Sequence, residues 1–373
     1  MNRLLDEKIV AAAKKCLSKS WPFAVVYTPE STESRFYAAE KTLRTEDLHD
    51  NRNCFVVSTF GLGESQNPKG IPSDYTIERI LSDEAGSSIF TETDVMKMSD
   101  EKTTSLREYD DIIGRVTGEL AGKTGKTVIS RMIIERADTD PFEVADIYFR
   151  SFPKCFRSIY FTPEVGLWIV ATPELLLDYD YGKGSLRTMS LAGTRKRGDN
   201  QWDEKNRKEH ELVTRYIVGT LEKTGMSVTV GPNENLPFGA IEHLCNRIEA
   251  QGKIEPVDIA LKLSPTPAVC GWPKEKAYMT IVTAERHKRS CYGAFIGIVD
   301  QASSRLYVNL RCCKVEKCPD SDEYRYLLFA GGGINDMSET AKEWDESANK
   351  IKPLQTAILK NERELNVRYN LGI

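Results

Sequence analysis

From about residue 105 onward, segments with the two-residue alternation of strands come in runs, and helical periods interrupt those runs at no fixed interval. Helical patterns fall at residues 106–120, 141–152, 202–223, 256–263, 275–285 and 338–360. Strand patterns fall at 126–134, in a hairpin over 155–172, and at 186–191, 228–230, 241–250, 294–299, 305–314 and 324–330. A doubly wound parallel sheet needs regular strand–helix–strand alternation, because each parallel crossover runs through a helix. This order lacks it, so the expected class is α+β with antiparallel sheets. Ahead of this region, Leu4, Leu5, Ile9, Val10, Ala13 and Cys16 recur near a 3.6 period, and 23–27 and 54–60 read as strands. The stretches 28–53 and 61–103 are polar and irregular, with no chemistry evident in them. No repeat, linker or low-complexity tract divides the chain, which points to one large domain over residues 1–373.

Charge and cysteine usage remove several classes of function. Fifty-one basic residues stand against 55 acidic ones, a net charge of −4, so no domain-wide positive excess exists to bind nucleic acid by counterion release. No apolar run approaches the roughly 20 residues of a membrane helix. The nine cysteines are odd in number, irregular in spacing and without a CxxC pair, which argues against both a disulfide framework and a zinc site. Asp6 and Glu7 stand where a signal peptide would place its apolar core, so the expected home is the cytoplasm.

Candidate chemistry from spacing alone stays open. Glu343, Glu346 and Lys350, at i, i+3 and i+7, share one helix face, and a solvated, salt-bridged face explains them as well as a site does. Glu209 and Glu211 flank His210 on another helix, and glutamates from two helices suit a hard divalent cation. Gly331-Gly332-Gly333 follows an apolar strand, where a tight turn or a close ligand approach would each require glycine. His243 fits a hydrogen-bonded structural histidine. Cys312 and Cys313 face opposite ways on a strand and read as packing.

The wording and order of short segments say more. Lys126-Thr-Val-Ile-Ser-Arg131, Ala171-Thr-Pro-Glu-Leu175, Leu191-Ala-Gly-Thr-Arg195 and Glu209-His-Glu-Leu-Val213 come first. His243-Leu-Cys-Asn-Arg-Ile-Glu249, Ser264-Pro-Thr-Pro-Ala268, Asn309-Leu-Arg-Cys312, Ala330-Gly-Gly-Gly-Ile334 and Glu343-Trp-Asp-Glu346 with Lys350 follow. In this order they resemble the chorismate-utilising enzymes, and among those most closely the isochorismate synthases. The resemblance implies an anthranilate synthase component I-like fold, with antiparallel sheets packed as a sandwich and helices outside. A variable N-terminal part would cover about 1–104 and a catalytic core about 105–364.

The same resemblance implies chorismate as substrate, Mg2+ as cofactor and isochorismate as product, for menaquinone or siderophore biosynthesis. Glu209 and Glu346 match the family's direct metal ligands, and Glu343 a glutamate acting through metal-bound water. Arg311 matches the arginine that grips the enolpyruvyl carboxylate, a task suited to its planar fork. Lys350 and main-chain groups at Gly193, Thr194, Ala268 and Gly331 would hold the rest of the substrate, with His243 against the ring. Lys126 matches the lysine that activates water, its pKa lowered by desolvation beside other cations, and Glu174 matches the general acid. Anthranilate synthases typically carry glutamine at the first position. Aminodeoxychorismate synthases place a lysine nucleophile where Ala192 stands. No glutaminase subunit, nucleic acid or membrane partner is expected, and the family resembled is often monomeric. Two alternatives remain: a salicylate synthase, which would go on to eliminate pyruvate and would differ in packing near Val269, Tyr292 and Leu310, and a chorismate-binding protein without catalysis.

Overall fold

The computed structural model describes residues 3–83, 90–198, 201–238 and 241–360. The C-terminal limit of the expected core, 361–364, lies outside these. The strands in chain order are β1 (Phe23–Tyr27), β2 (Arg35–Ala38), β3 (Cys54–Val57), β4 (Lys69–Pro72), β5 (Lys126–Ala137), β6 (Phe156–Thr162), β7 (Gly166–Thr172) and β8 (Leu175–Asp180). They continue with β9 (Ser185–Lys196), β10 (Ser227–Phe238), β11 (Ile241–Gln251), β12 (Gly271–Trp272), β13 (Phe295–Val299), β14 (Ser303–Val308), β15 (Cys312–Lys317) and β16 (Tyr324–Ile334). The helices are α1 (Glu7–Ser18), α2 (Ile77–Ser82), α3 (Glu92–Val95), α4 (Leu106–Leu120), α5 (Pro141–Ser151), α6 (Glu204–Glu222), α7 (Pro256–Leu263), α8 (Lys274–Ala284) and α9 (Thr340–Leu359).

Two eight-stranded sheets carry the fold, in the orders β12-β5-β16-β15-β7-β6-β1-β2 and β10-β11-β9-β8-β14-β13-β3-β4. The strand pairs within both are antiparallel, as the missing alternation required. The inner faces meet in one cluster, with Val26, Met132, Trp168 and Phe329 from the first sheet against Phe55, Val57, Ile296 and Tyr307 from the second. The first sheet's outer face packs on α1, α5 and α9, and the second sheet's on α6 and α7. Helices α4 and α8 cover the end of β5 and β16. This is the α+β sandwich with outside helices that the sequence led us to expect.

Local signals explain the helices. In α4 the buried Tyr109, Ile112, Ile113, Val116 and Leu120 form one stripe, and the Ser105 hydroxyl caps the start by accepting from Glu108 N–H at 3.2 Å. Asp140 caps α5, where Pro141 stands in the first turn. Asp203 caps α6 by accepting from Asn206 N–H at 2.7 Å. Among the described residues no helix is long and apolar enough to cross a membrane.

Several expectations need correction. The supposedly irregular stretches 28–53 and 61–103 hold β2, β4, α2 and α3. Strands of four residues are too short to show a period, and Gly70 and Pro72 in β4 mask it further. The strand expected at 186–191 does not stop at Leu191. There β9 runs on, and the register against β11 jumps from Thr194↔His243 to Ala192↔Leu244. Gly193 is thus the extra residue of a bulge, with φ +77°. Gly331–333 form no turn but lie inside β16, paired with Ser130, Ile129 and Val128 of β5. The strand expected at 305–314 breaks into β14 and β15 around Asn309-Leu310-Arg311, where Arg311 has φ +52°.

Candidate active site

A pocket with about 720 Å3 of atom-free space, its open mouth included, lies where β5, β16, β9 and β11 meet α6 and α9. Lys126, Glu174, Gly193, Thr194, Glu209, His243, Ala268, Arg311, Gly331, Glu346 and Lys350 all line it. Residues more than 200 positions apart in the chain thus come together in one pocket. Glu343 does not line the pocket but stands behind it, buried on α9. Its Oε1 accepts from Ser338 Oγ at 3.0 Å.

Each breach of regular structure places a side chain. The Gly193 bulge meets the start of α6, where Asn206 Oδ1 accepts from Thr194 N–H at 3.0 Å. Glu209 follows three residues after Asn206, on the same helix face, and enters the pocket. The break at 309–311 brings Arg311 in from the end of β14. Its positive φ is uncommon for a side chain of this size, as is often found where function sets geometry. Glu174 sits in the two-residue passage from β7 of the first sheet to β8 of the second. There its carbonyl accepts from Val308 N–H at 2.9 Å.

The glycine run serves clearance. A Cβ at Gly333 would stand 2.1 Å from Glu209 Oε1, and one at Gly332 would stand 2.6 Å from Glu343 Oε2. The bare backbone of β16 thus receives one carboxylate on each face, Glu209 on the pocket side and Glu343 behind. From the sequence only Gly331 was assigned a role. Three glycines closing an apolar strand were the available signal, but the approaching groups come from α6 and α9 and cannot be read locally.

Charges inside the pocket are arranged unevenly. Burial pushes the Glu174 carboxyl up from 4.5 to about 8, with the positive charges of Lys126, Arg311 and Lys350 pulling the other way. This acid therefore holds its proton at neutral pH. Burial, with Arg311 and Lys350 adding to it, pushes His243 down to about 3. The imidazole is neutral, and its bonds fix the tautomer. Nδ1–H donates to Gly193 O at 2.9 Å, and Nε2 accepts from an Arg311 Nη2–H at 3.0 Å. His243 is thus engaged on both nitrogens, serving to aim Arg311. Lys350 Nζ donates to Gly331 O at 2.8 Å and to Glu346 Oε1 at 2.5 Å. Lys126 is buried at the start of β5 with Glu209 Oε1 at 3.9 Å from its Nζ, so an anion stands beside a lysine expected to neighbour cations.

The carboxylates Glu209, Glu343 and Glu346 are hard oxygen donors of the kind that suit Mg2+. Glu209, over Gly333, and Glu346 enter the pocket, whereas Glu343, over Gly332, meets the opposite face of the same strand. Among the described residues, however, no three His, Cys, Asp or Glu side chains form a closed metal-holding group. The expected ligand set is therefore present in donor type and not as a closed cage. The physical reason is visible at two members: Glu209 lies by the Lys126 ammonium and Glu346 is bonded to that of Lys350.

Known proteins place this architecture. The chain is 29% identical over 213 residues to the isochorismate synthase MenF of Haemophilus influenzae, an alignment covering 54% of this chain and 48% of that protein. The chain thus spans about half the length of that relative. Its fold is similar to the solved structure of MenF, the menaquinone-specific isochorismate synthase from Escherichia coli. The TM-score is 0.72 at 20% identity, over 95% of this chain and 91% of that one. It is also similar to anthranilate synthase component I from Streptococcus pneumoniae, with a TM-score of 0.61 at 15% identity over 89% of each chain. A family model described as chorismate binding enzyme matches residues 10–359, a span that takes in both sheets and every pocket-lining residue named above. The chain belongs to the chorismate binding enzyme family.

Proposed function

We propose that this chain is an isochorismate synthase, which moves the hydroxyl of chorismate from C4 to C2 with Mg2+ as cofactor. The observation carrying this proposal is Glu174, a buried carboxyl that keeps its proton at neutral pH in the same pocket as Lys126. Water addition at one ring carbon with loss of hydroxyl at another needs a base and an acid together. The isochorismate synthases among the chain's relatives support the same assignment.

In this mechanism Lys126 takes a proton from the water attacking C2. Glu174 gives its proton to the C4 hydroxyl, which departs as water while the ring double bonds shift. One water enters and one leaves, so the product is an isomer, and proton exchange with solvent resets the pair. Arg311, aimed by neutral His243, holds the enolpyruvyl carboxylate. Lys350 and the main chain at Gly193, Thr194, Ala268 and Gly331 seat the remainder. Glu209 and Glu346 would hold Mg2+, with Glu343 behind them. Bound there, the cation would neutralise the ring carboxylate and withdraw charge as the hydroxyl leaves.

The test is to incubate the purified chain with chorismate and Mg2+ and to identify products by chromatography and NMR. Isochorismate in equilibrium with chorismate, without pyruvate, is the expected outcome. Salicylate with pyruvate would replace the proposal by a salicylate synthase. Binding without conversion, by folded and metal-loaded protein, would leave a chorismate-binding protein.

A further inference from the structure

Two-residue β12 pairs with β5 only at Lys126 and Thr127. Past it, other groups take over the same edge. Val128 N–H donates to Cys270 O at 2.8 Å. Val128 O then accepts from Arg289 Nη2 at 2.7 Å, and Ser130 N–H donates to Glu285 Oε1 at 2.6 Å. The two side chains are themselves joined by a two-pronged bridge, Nε to Oε2 at 2.8 Å and Nη2 to Oε1 at 2.5 Å, each with only 2% of its surface exposed. The remaining arm of the arginine, Nη1, reaches Val269 O at 2.7 Å.

The clamp therefore ties a strand to a loop. Val128 lies two residues from Lys126, and Val269 follows Ala268; all four line the pocket. A buried ion pair is weak evidence for stability, since apolar residues of equal volume often serve as well. What an apolar pair cannot do is hold two carbonyls at a fixed separation with one planar fork. The other end of the loop is held separately, by Lys274 Nζ donating to Ser264 O at 2.7 Å and Lys262 O at 3.2 Å. Loss of Arg289 thus removes the tie at Val269 O and leaves the Val128 N–H to Cys270 O bond beside it as the link between strand and loop end.

We infer that Arg289, oriented by Glu285, is a positioning residue that sets the spacing between the strand bearing Lys126 and the loop bearing Ala268 and Val269. The inference rests on the proposed reaction. Arg289→Lys keeps the charge and loses the fork, so kcat/KM for chorismate should fall about 100-fold, mostly in kcat, because misplacement of about 1 Å costs that much. Glu285→Gln should lose about tenfold, and the double variant should be no worse than Arg289→Lys, because the pair acts as a unit. Arg286→Ala, at the neighbouring 80% exposed side chain, should match wild type. Folded variants within about threefold of wild type in both kcat and KM, or additive losses in the double variant, overturn the inference. If Arg289→Lys does not fold, the isosteric Glu285→Gln decides alone. If wild type binds chorismate without turning it over, the reaction falls, and the clamp is judged by calorimetry. A chorismate Kd raised about tenfold in the variant then upholds it, and an unchanged Kd overturns it.

Discussion

Glu174→Gln keeps the shape of a buried side chain and removes its proton equilibrium. With its carboxyl at about 8 against an ordinary 4.5, Glu174 is protonated in both folded and unfolded chains below pH 4.5 and does nothing to stability there. As pH rises past that point the unfolded chain ionises while the folded one keeps its proton. Stability then falls by about 1.4 kcal/mol per pH unit until the folded group ionises near pH 8, about 5 kcal/mol in all. Glutamine carries no such penalty. Urea unfolding followed by circular dichroism from about pH 5 to about pH 8.5 should show the variant gaining on wild type along that slope. Parallel stability curves would refute the buried acid. The same variant should lose about 10^2- to 10^4-fold in kcat, while wild-type kcat should decline on the alkaline side as the acid loses its proton near pH 8. A wild-type profile flat through pH 9 would count against Glu174 as the proton donor.

Lys126→Ala should abolish turnover while chorismate binding stays measurable by calorimetry; activity like wild type would remove Lys126 from the role of base. Gly333→Ala should fold normally, because the three atoms nearest the added Cβ all belong to the flexible end of Glu209. Displacing that carboxylate should weaken Mg2+ about 10- to 100-fold, and an unchanged Mg2+ titration would show that Glu209 is not a ligand. Glu346→Ala should lose Mg2+-dependent activity, checked by titrating the metal back after chelation. Mg2+ dependence like that of wild type would place the ion elsewhere.

The sequence was legible where one period runs long and illegible where the backbone departs from a period. The stripes of α4 and α9 and the alternation of β5 each persist for many residues, and their elements lie close to where they were expected. Cys312 and Cys313 do face opposite sides, one toward the sandwich interior and the other toward the helix layer. The second half of β10 went unseen, because Gly231 and Pro232 stand at its register shift and Asn233, Glu234 and Asn235 follow. The Gly193 bulge and the glycines of β16 could not be told from turns, since local chemistry is the same whether glycine bends a chain or clears a path. That most of the candidate site residues share one pocket could be anticipated from the order of their motifs along the chain. Their environments could not: the anion beside Lys126 and the double engagement of His243 arise from elements far apart in sequence.

The chain's first hundred residues, expected to be its variable part, provide β1 and β2 to one sheet and β3 and β4 to the other. A bridge between Ala38 and Ser73 joins the outer margins of the two. This segment is thus a hem rather than an appendage. Removing it would bare β6 and β13, whose residues are all buried, as two open, apolar strand edges. Such edges invite pairing with other copies, so a shortened version retaining every pocket residue should precipitate rather than work.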